Sequence, residues 1–323
     1  MPCATPILGF ATKSIAPNSK DLSVASAPFS VSVEVMTTGV GLAFISTSRK
    51  RNPSTLGISI SSVITSGDFS RTSFFATKAS GAAPTNAANN TIEFITIAST
   101  GNATDFGDLV QKIRDQSSAG NQTRGIFAGG QEDTANAEVN VIQYLTIASL
   151  GNSIDFGDLS VVRKEGNNGQ VNSAVRAIFA GGYDAPNNFF NTIDYVTIST
   201  TGDAQDFGDL TQGRNRISGA CNSTRGVFSG GYAAPTRVNT IDFITITSTG
   251  NAQDFGDISQ DTMSRPGASS PTRGVFFGGG QTPGRTNSIE YITIAQTGNS
   301  VDFGDLIFTN SGGIGISNGH GGL

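Results

Sequence analysis

The chain has 323 residues, only 14% of them charged, a net charge of −5 and no tryptophan, so its polar surface must come from Ser, Thr, Asn and Gln. The acidic balance gives no electrostatic footprint for a phosphate backbone, which excludes nucleic acid as an expected partner. The two distant cysteines, Cys3 and Cys221, exclude a disulfide framework or a zinc site, and no apolar run approaches the roughly 18 residues that span a bilayer, so no membrane insertion is expected.

The chain opens "MPCATPILGF", without the basic and apolar regions of a secretory leader, and synthesis in a cytoplasm is expected. Residues 1–74 look like two short, degenerate copies of a unit that becomes regular later. "GFATKS" (9–14) around Phe10 and "GLAFISTS" (41–48) around Phe44 are expected inner strands. "SVSVEVMTTG" (30–39) and "ISISSVITSGDF" (58–69) are expected to be the long strands that go with them. Arg49-Lys50-Arg51, before Asn-Pro, reads as a solvated loop.

From 75 to 306 two landmarks share one period. The pentapeptide D-F-G-D-[LI] begins at Asp105, Asp155, Asp206, Asp254 and Asp302, at intervals of 50, 51, 48 and 48. A short apolar strand ending in Gly-Gly carries Phe127, Phe179, Phe228 and Phe276, at intervals of 52, 49 and 48, and Phe75 in "TSFFATK" supplies a fifth. Each unit reads as the glycine-ended strand, a variable loop, a long strand such as "NTIDFITITSTGN" (239–251), a glycine turn, D-F-G-D-L and a polar return. In "TIEFITIAS", Ile92 and Phe94 point one way and Ile95 and Ile97 the other, so this strand must be covered on both faces.

The expected fold is therefore all-β: a single β-propeller of four-stranded blades over 1–323, with seven blades expected and six the alternative. Tandem glycines suit crowded inner strands, where close backbone approach and positive φ are needed. Residues 307–323 form the closing segment, and Met1 to Lys13 are expected to pair with it, which would remove an exposed edge.

The Gly-Gly-ended strand repeated about every 50 residues resembles Kelch-type propellers, without their tryptophan. A closer likeness is to glycine-rich repeat proteins of tailed bacteriophages, especially cyanophages, whose repeat resembles "T-R-G-[VI]-F-x-G-G … D-F-G-D-L" as it stands at 123–159, 175–210, 224–258 and 272–306. That resemblance implies a virion structural protein made in the host cytoplasm, tail- or fibre-associated, present in multiple copies in a symmetric particle. It implies other virion proteins as partners, and a host cell-surface receptor or glycan. The alternatives are a capsid decoration protein and a cellular Kelch-like scaffold that binds proteins.

No catalytic residue is expected, no metal and no cofactor. D-F-G-D lacks the lysine and H-R-D loop of a kinase and falls short of the six to eight oxygens calcium takes. We expect each first Asp to start an Asx-turn and each Phe to plug the space between blades. Arg124, Arg176, Arg225 and Arg273, one before each glycine-ended strand, are expected to make charge-assisted bonds to D-F-G-D aspartates, the alternative being an anion-binding collar. Binding is expected in the variable loops after Gly-Gly, where Tyr183, Phe189, Phe190, Tyr232 and Arg237 are the candidates.

Overall fold

The computed structural model describes residues 42–45, 58–65, 73–80, 90–96, 100–132, 135–168 and 170–317, all within one compact unit. These residues contain strands and turns and no helix. Five antiparallel sheets follow one another along the chain, and the architecture is propeller-like.

Sheet A contains Ile58–Thr65, Ser73–Ser80, Thr91–Thr96 and Thr104–Asp108, and sheet B contains Ser117–Gly120, Arg124–Ala128, Val141–Thr146 and Ile154–Asp158. Sheet C contains Arg176–Ala180, Thr192–Thr197 and Gln205–Asp209, with a bridge from Asn172 to Ala177 standing where the others have a first strand. Sheet D contains Ile217–Cys221, Arg225–Ser229, Thr240–Thr245 and Gln253–Asp257, and sheet E contains Gly267–Ser269, Arg273–Phe277, Ser288–Thr293 and Val301–Asp305. Asn167–Asn168 pairs in parallel with Ile217–Cys221 and also lies beside Ser117–Gly120. The first strands of neighbouring sheets lie side by side, and Ile314–Ser317 lies beside both Gly267–Ser269 and Ile58–Thr65.

The start of the chain departs from expectation. Ile58–Thr65 is the first strand of sheet A, paired with Ser73–Ser80, and not the long strand of a unit centred on Phe44. Leu42–Ile45 pairs with Ile314–Ser317, placing Phe44 opposite Gly315. Two eight-residue strands separated by seven residues of chain pair locally, which costs less closure entropy than pairing back across the sequence. Phe10 and the segment Met1 to Lys13 lie outside the described residues.

Packing follows the period. Phe127, Phe179, Phe228 and Phe276 are buried and pack on the D-F-G-D phenylalanine of the preceding sheet: Phe127 with Phe106, Phe179 with Phe156, Phe228 with Phe207, Phe276 with Phe255. Each D-F-G-D phenylalanine meets the long-strand aromatic of its own sheet edge-to-face at 5.7–6.0 Å. The long strand is covered on both faces as expected: Ile241, Asp242, Phe243 and Ile244 are all buried.

Backbone bonds then lock each sheet to the next. At the outer edge, Gly151, Gly202, Gly250 and Gly298 donate N–H to the carbonyls of Phe106, Phe156, Phe207 and Phe255 at 2.7–2.9 Å. The adjoining Asn152, Asp203, Asn251 and Asn299 accept from the backbone N–H of Asp108, Asp158, Asp209 and Asp257. Gly208 must be glycine here, since its φ is +139° and a Cβ would lie 2.5 Å from the Gly250 carbonyl. The tandem glycines make the next link: Gly130, Gly182, Gly231 and Gly279 donate to Arg163, Arg214, Thr262 and Asn310 of the following return segment. A third link joins Asp115, Glu165, Arg216, Ser264 and Gly312, each donating its N–H to the carbonyl of the one before, all with positive φ.

Candidate interaction face

The recurring arginines bind no D-F-G-D aspartate, which corrects the expectation. The guanidiniums of Arg124, Arg176, Arg225 and Arg273 lie 4.4–4.5 Å over the rings of Tyr144, Tyr195, Phe243 and Tyr291. The first three also donate Nη1 to the carbonyls of Ile198, Ile246 and Ile294 in the next sheet, at 2.8–3.1 Å. The aspartates are out of reach because Asp105, Asp155, Asp206, Asp254 and Asp302 stand exposed on the outermost strands. Asp206 does start an Asx-turn, accepting from Gly208 N–H.

The charge pairs lie elsewhere. Arg163–Asp194, Arg214–Asp242 and Arg265–Glu290 are buried ion pairs at 2.9–3.1 Å. Ser160, Thr211 and Ser259 complete each acid with a backbone and a hydroxyl donor. Burial alone would raise Glu290, but the Arg265 guanidinium, Ser259 N–H and the Ser300 hydroxyl hold its carboxyl down at about 2. The one signal in sequence was an acid inside a strand whose two faces both had to be covered.

The variable loops share one face. Gln131–Glu132 with Ala137–Glu138, Tyr183–Asp184 with Asn188–Phe189, and Tyr232–Ala233 with Thr236–Arg237 are small hairpins, and a bridge joins Gly280 to Arg285 in the fourth loop. Each is tied to the segment that carries the positive-φ residue: Gln131–Glu132 to Ile113–Arg114, Tyr183 to Lys164, Tyr232 to Asn215, and Gly280 to Met263.

Contacts run from hairpin to hairpin. Glu138 pairs with Lys164 at 2.8 Å, and Lys164 lies 5.1 Å from the Tyr183 ring centre. Tyr183 stacks on Phe189 at 5.7 Å, and Phe189 meets Tyr232 edge-on at 5.6 Å. Arg237 donates to the Thr282 hydroxyl of the next loop. The structure thus brings Tyr183, Phe189 and Tyr232 together and places Arg237 one junction further on. Phe190 takes another role: its N–H donates to Gly182 and its carbonyl accepts from Arg214, fixing the hairpin to the frame.

The same face carries charge that sequence reading missed. Glu165 accepts from Arg216 Nε at 2.6 Å, from Arg216 Nη2 at 2.9 Å and from Asn215. Burial, and then Glu165, raise the Asp115 carboxyl, whereas the bond from Lys164 lowers Glu138. A cleft of about 780 Å³ lies between Arg237, Asp261 and Thr282. Cys221 is buried and its thiol is pushed up to about 12, far from a nucleophile's range.

Among the described residues no group of three or more His, Cys, Asp or Glu side chains is placed to hold a metal ion, and no helix is long and apolar enough to cross a membrane. No protein-family model matches the chain, and no curated protein matches it significantly.

Proposed function

We propose that the chain is a β-propeller whose rigid frame presents the hairpin face as a binding surface, without catalytic chemistry of its own. The observation that carries this is a division of labour. The glycine turns and D-F-G-D strands that bond one sheet to the next repeat with the period, whereas the hairpin face is mixed, with Gln131, Tyr183, Tyr232 and Gly280 at one end of the loop, Glu138, Phe189, Arg237 and Arg285 at the other, and only the Tyr and Arg pairs recurring. Variation confined to one surface of a repeated frame is where a binding protein carries its specificity.

Six blades is the count we propose: sheets A to E and a sixth unit that includes Leu42–Ile45 and Ile314–Ser317. Two features support it. Phe303 is 57% exposed while its four equivalents are at most 4% exposed, and among the described residues nothing lies within 4 Å of a Cβ placed on Gly304. At the other end of the series stands the Gly101-Asn102 turn, equivalent in sequence to those that clasp a preceding sheet. One blade fits between these two ends.

The resemblance to tailed-phage repeat proteins supports a seat in a virion, on the tail or its fibres, with host contact as its task. Purified chain added in excess should then slow adsorption of the phage to its host. A variant with 185–188 and 234–236 replaced by short glycine turns should melt normally and fail to compete. Competition by both proteins, or by neither, would remove the adhesion role.

A further inference from the structure

One junction on the hairpin face breaks the repeat in a way that makes a site. Between sheets C and D the hairpin closes on the frame: a Cβ on Gly213 would lie 2.4 Å from the Phe189 carbonyl oxygen, so the two backbones touch. One unit later the same two positions are Arg237 and Asp261. The register is fixed by equivalent bonds, Arg214 N–H to Phe190 and Thr262 N–H to Val238, at 3.1 and 3.3 Å. Where Phe and Gly shut the junction, Arg and Asp hold it open, and the cleft of about 780 Å³ is the result.

Its size lies in the range of small-ligand pockets, roughly 300–1,000 Å³. Its chemistry narrows the ligand. Apart from Pro235 the lining is polar, with Arg237, Asp261, Gln260, Gln281, Thr236 and Thr282 supplying donors and acceptors, and it contains no aromatic ring. Among the described residues no ion pair joins Arg237 to Asp261; Arg237 spends Nη1 on the Thr282 hydroxyl, and its Nε has no partner. A hydrophobic ligand would leave these groups unpaired, at a cost for each. A phosphate or carboxylate would meet Asp261, and an ammonium would meet Arg237. A compact ligand with many neutral hydroxyls satisfies all of them.

The geometry points to a short neutral oligosaccharide as the ligand of the Arg237–Asp261 cleft, an assignment that rests on the hairpin face being the binding surface. Asp261 accepts from a pair of sugar hydroxyls, Arg237 donates to a ring or bridging oxygen, and the two glutamines close the remaining contacts.

The test is a printed array of neutral, sialylated and sulfated oligosaccharides probed with the full chain, followed by titration of the best neutral binder. Arg237→Ala and Asp261→Ala should each weaken binding at least tenfold, while Asp254→Asn on the exposed outer strand of sheet D leaves it unchanged and all three melt with the parent. Absence of neutral binders, binding confined to charged glycans, or equal binding by the two cleft variants would overturn the assignment. None of these results bears on adsorption competition, so the broader function stands or falls separately.

Discussion

Asp242 has no exposed surface and neither does Arg214, its partner at 3.1 Å. Removing one member of such a pair strands the other charge in the interior, so Asp242→Ala should cost about 3–5 kcal/mol in denaturant melts, while replacing both with apolar residues of similar volume should recover most of it. A loss under about 1 kcal/mol from Asp242→Ala would refute the buried-pair account. Glu290 adds a pH signature. Its folded pKa, near 2, is below its ordinary 4.5, so the stability it contributes is complete above about 4.5 and is lost as pH falls from there toward 2. Melting temperatures should fall through that window in the parent and more shallowly in Glu290→Gln. Phe228→Ala, at a fully buried inter-sheet contact, should cost about 3–5 kcal/mol, against about 1 kcal/mol for the half-buried Tyr232→Ala, and equal losses would contradict the packing. The phenylalanines were legible because they recur at one position of every glycine-ended strand. The arginine partners were not, because a ring 20 residues away and a carbonyl some 70 residues away leave no mark beside the arginine.

The element that defines this fold is the clasp between an outer strand and the next sheet's glycine turn. Its sequence form, Gly-Asn or Gly-Asp followed by D-F-G-D-L, was plain as a turn and a strand. That the turn of one unit grips the strand of the unit before it was not, since hydrogen bonds across about 45 residues have no local periodicity. The positive-φ ladder was equally hidden: Asp115, Glu165, Arg216 and Ser264 share a conformation and no side-chain type. Gly208→Ala meets both a positive φ and a carbonyl at 2.5 Å, and roughly 2 kcal/mol or more should be lost. Gly304 has the same φ, +140°, with an open side among the described residues. If a sixth blade clasps that edge, Gly304→Ala should lower the melting temperature as far as Gly208→Ala does. A loss half as large, the cost of φ alone, would leave the edge of sheet E unclasped.

For the whole molecule, the period was enough to read an all-β frame of repeated sheets, because two independent landmarks kept the same spacing over more than 200 residues. The phase of each sheet was harder. Its first strand lies in the polar return segment, such as "ISGAC" at 217–221, where small and polar residues hide a buried strand behind a loop-like composition. The hairpin face was legible as a place, since variable loops follow every Gly-Gly, but not as a chain of contacts from Glu138 to Thr282. What a propeller-like frame of this kind is for depends on where it sits, and the central proposal is that it is an exposed binding module of a virion. Immunogold electron microscopy of phage particles from the source of this sequence, with antibody against the recombinant chain, tests that most directly. Label at the tail or its fibre tips is the predicted result. Label over the head would make the chain a decoration protein, and particles that carry no label would contradict the account.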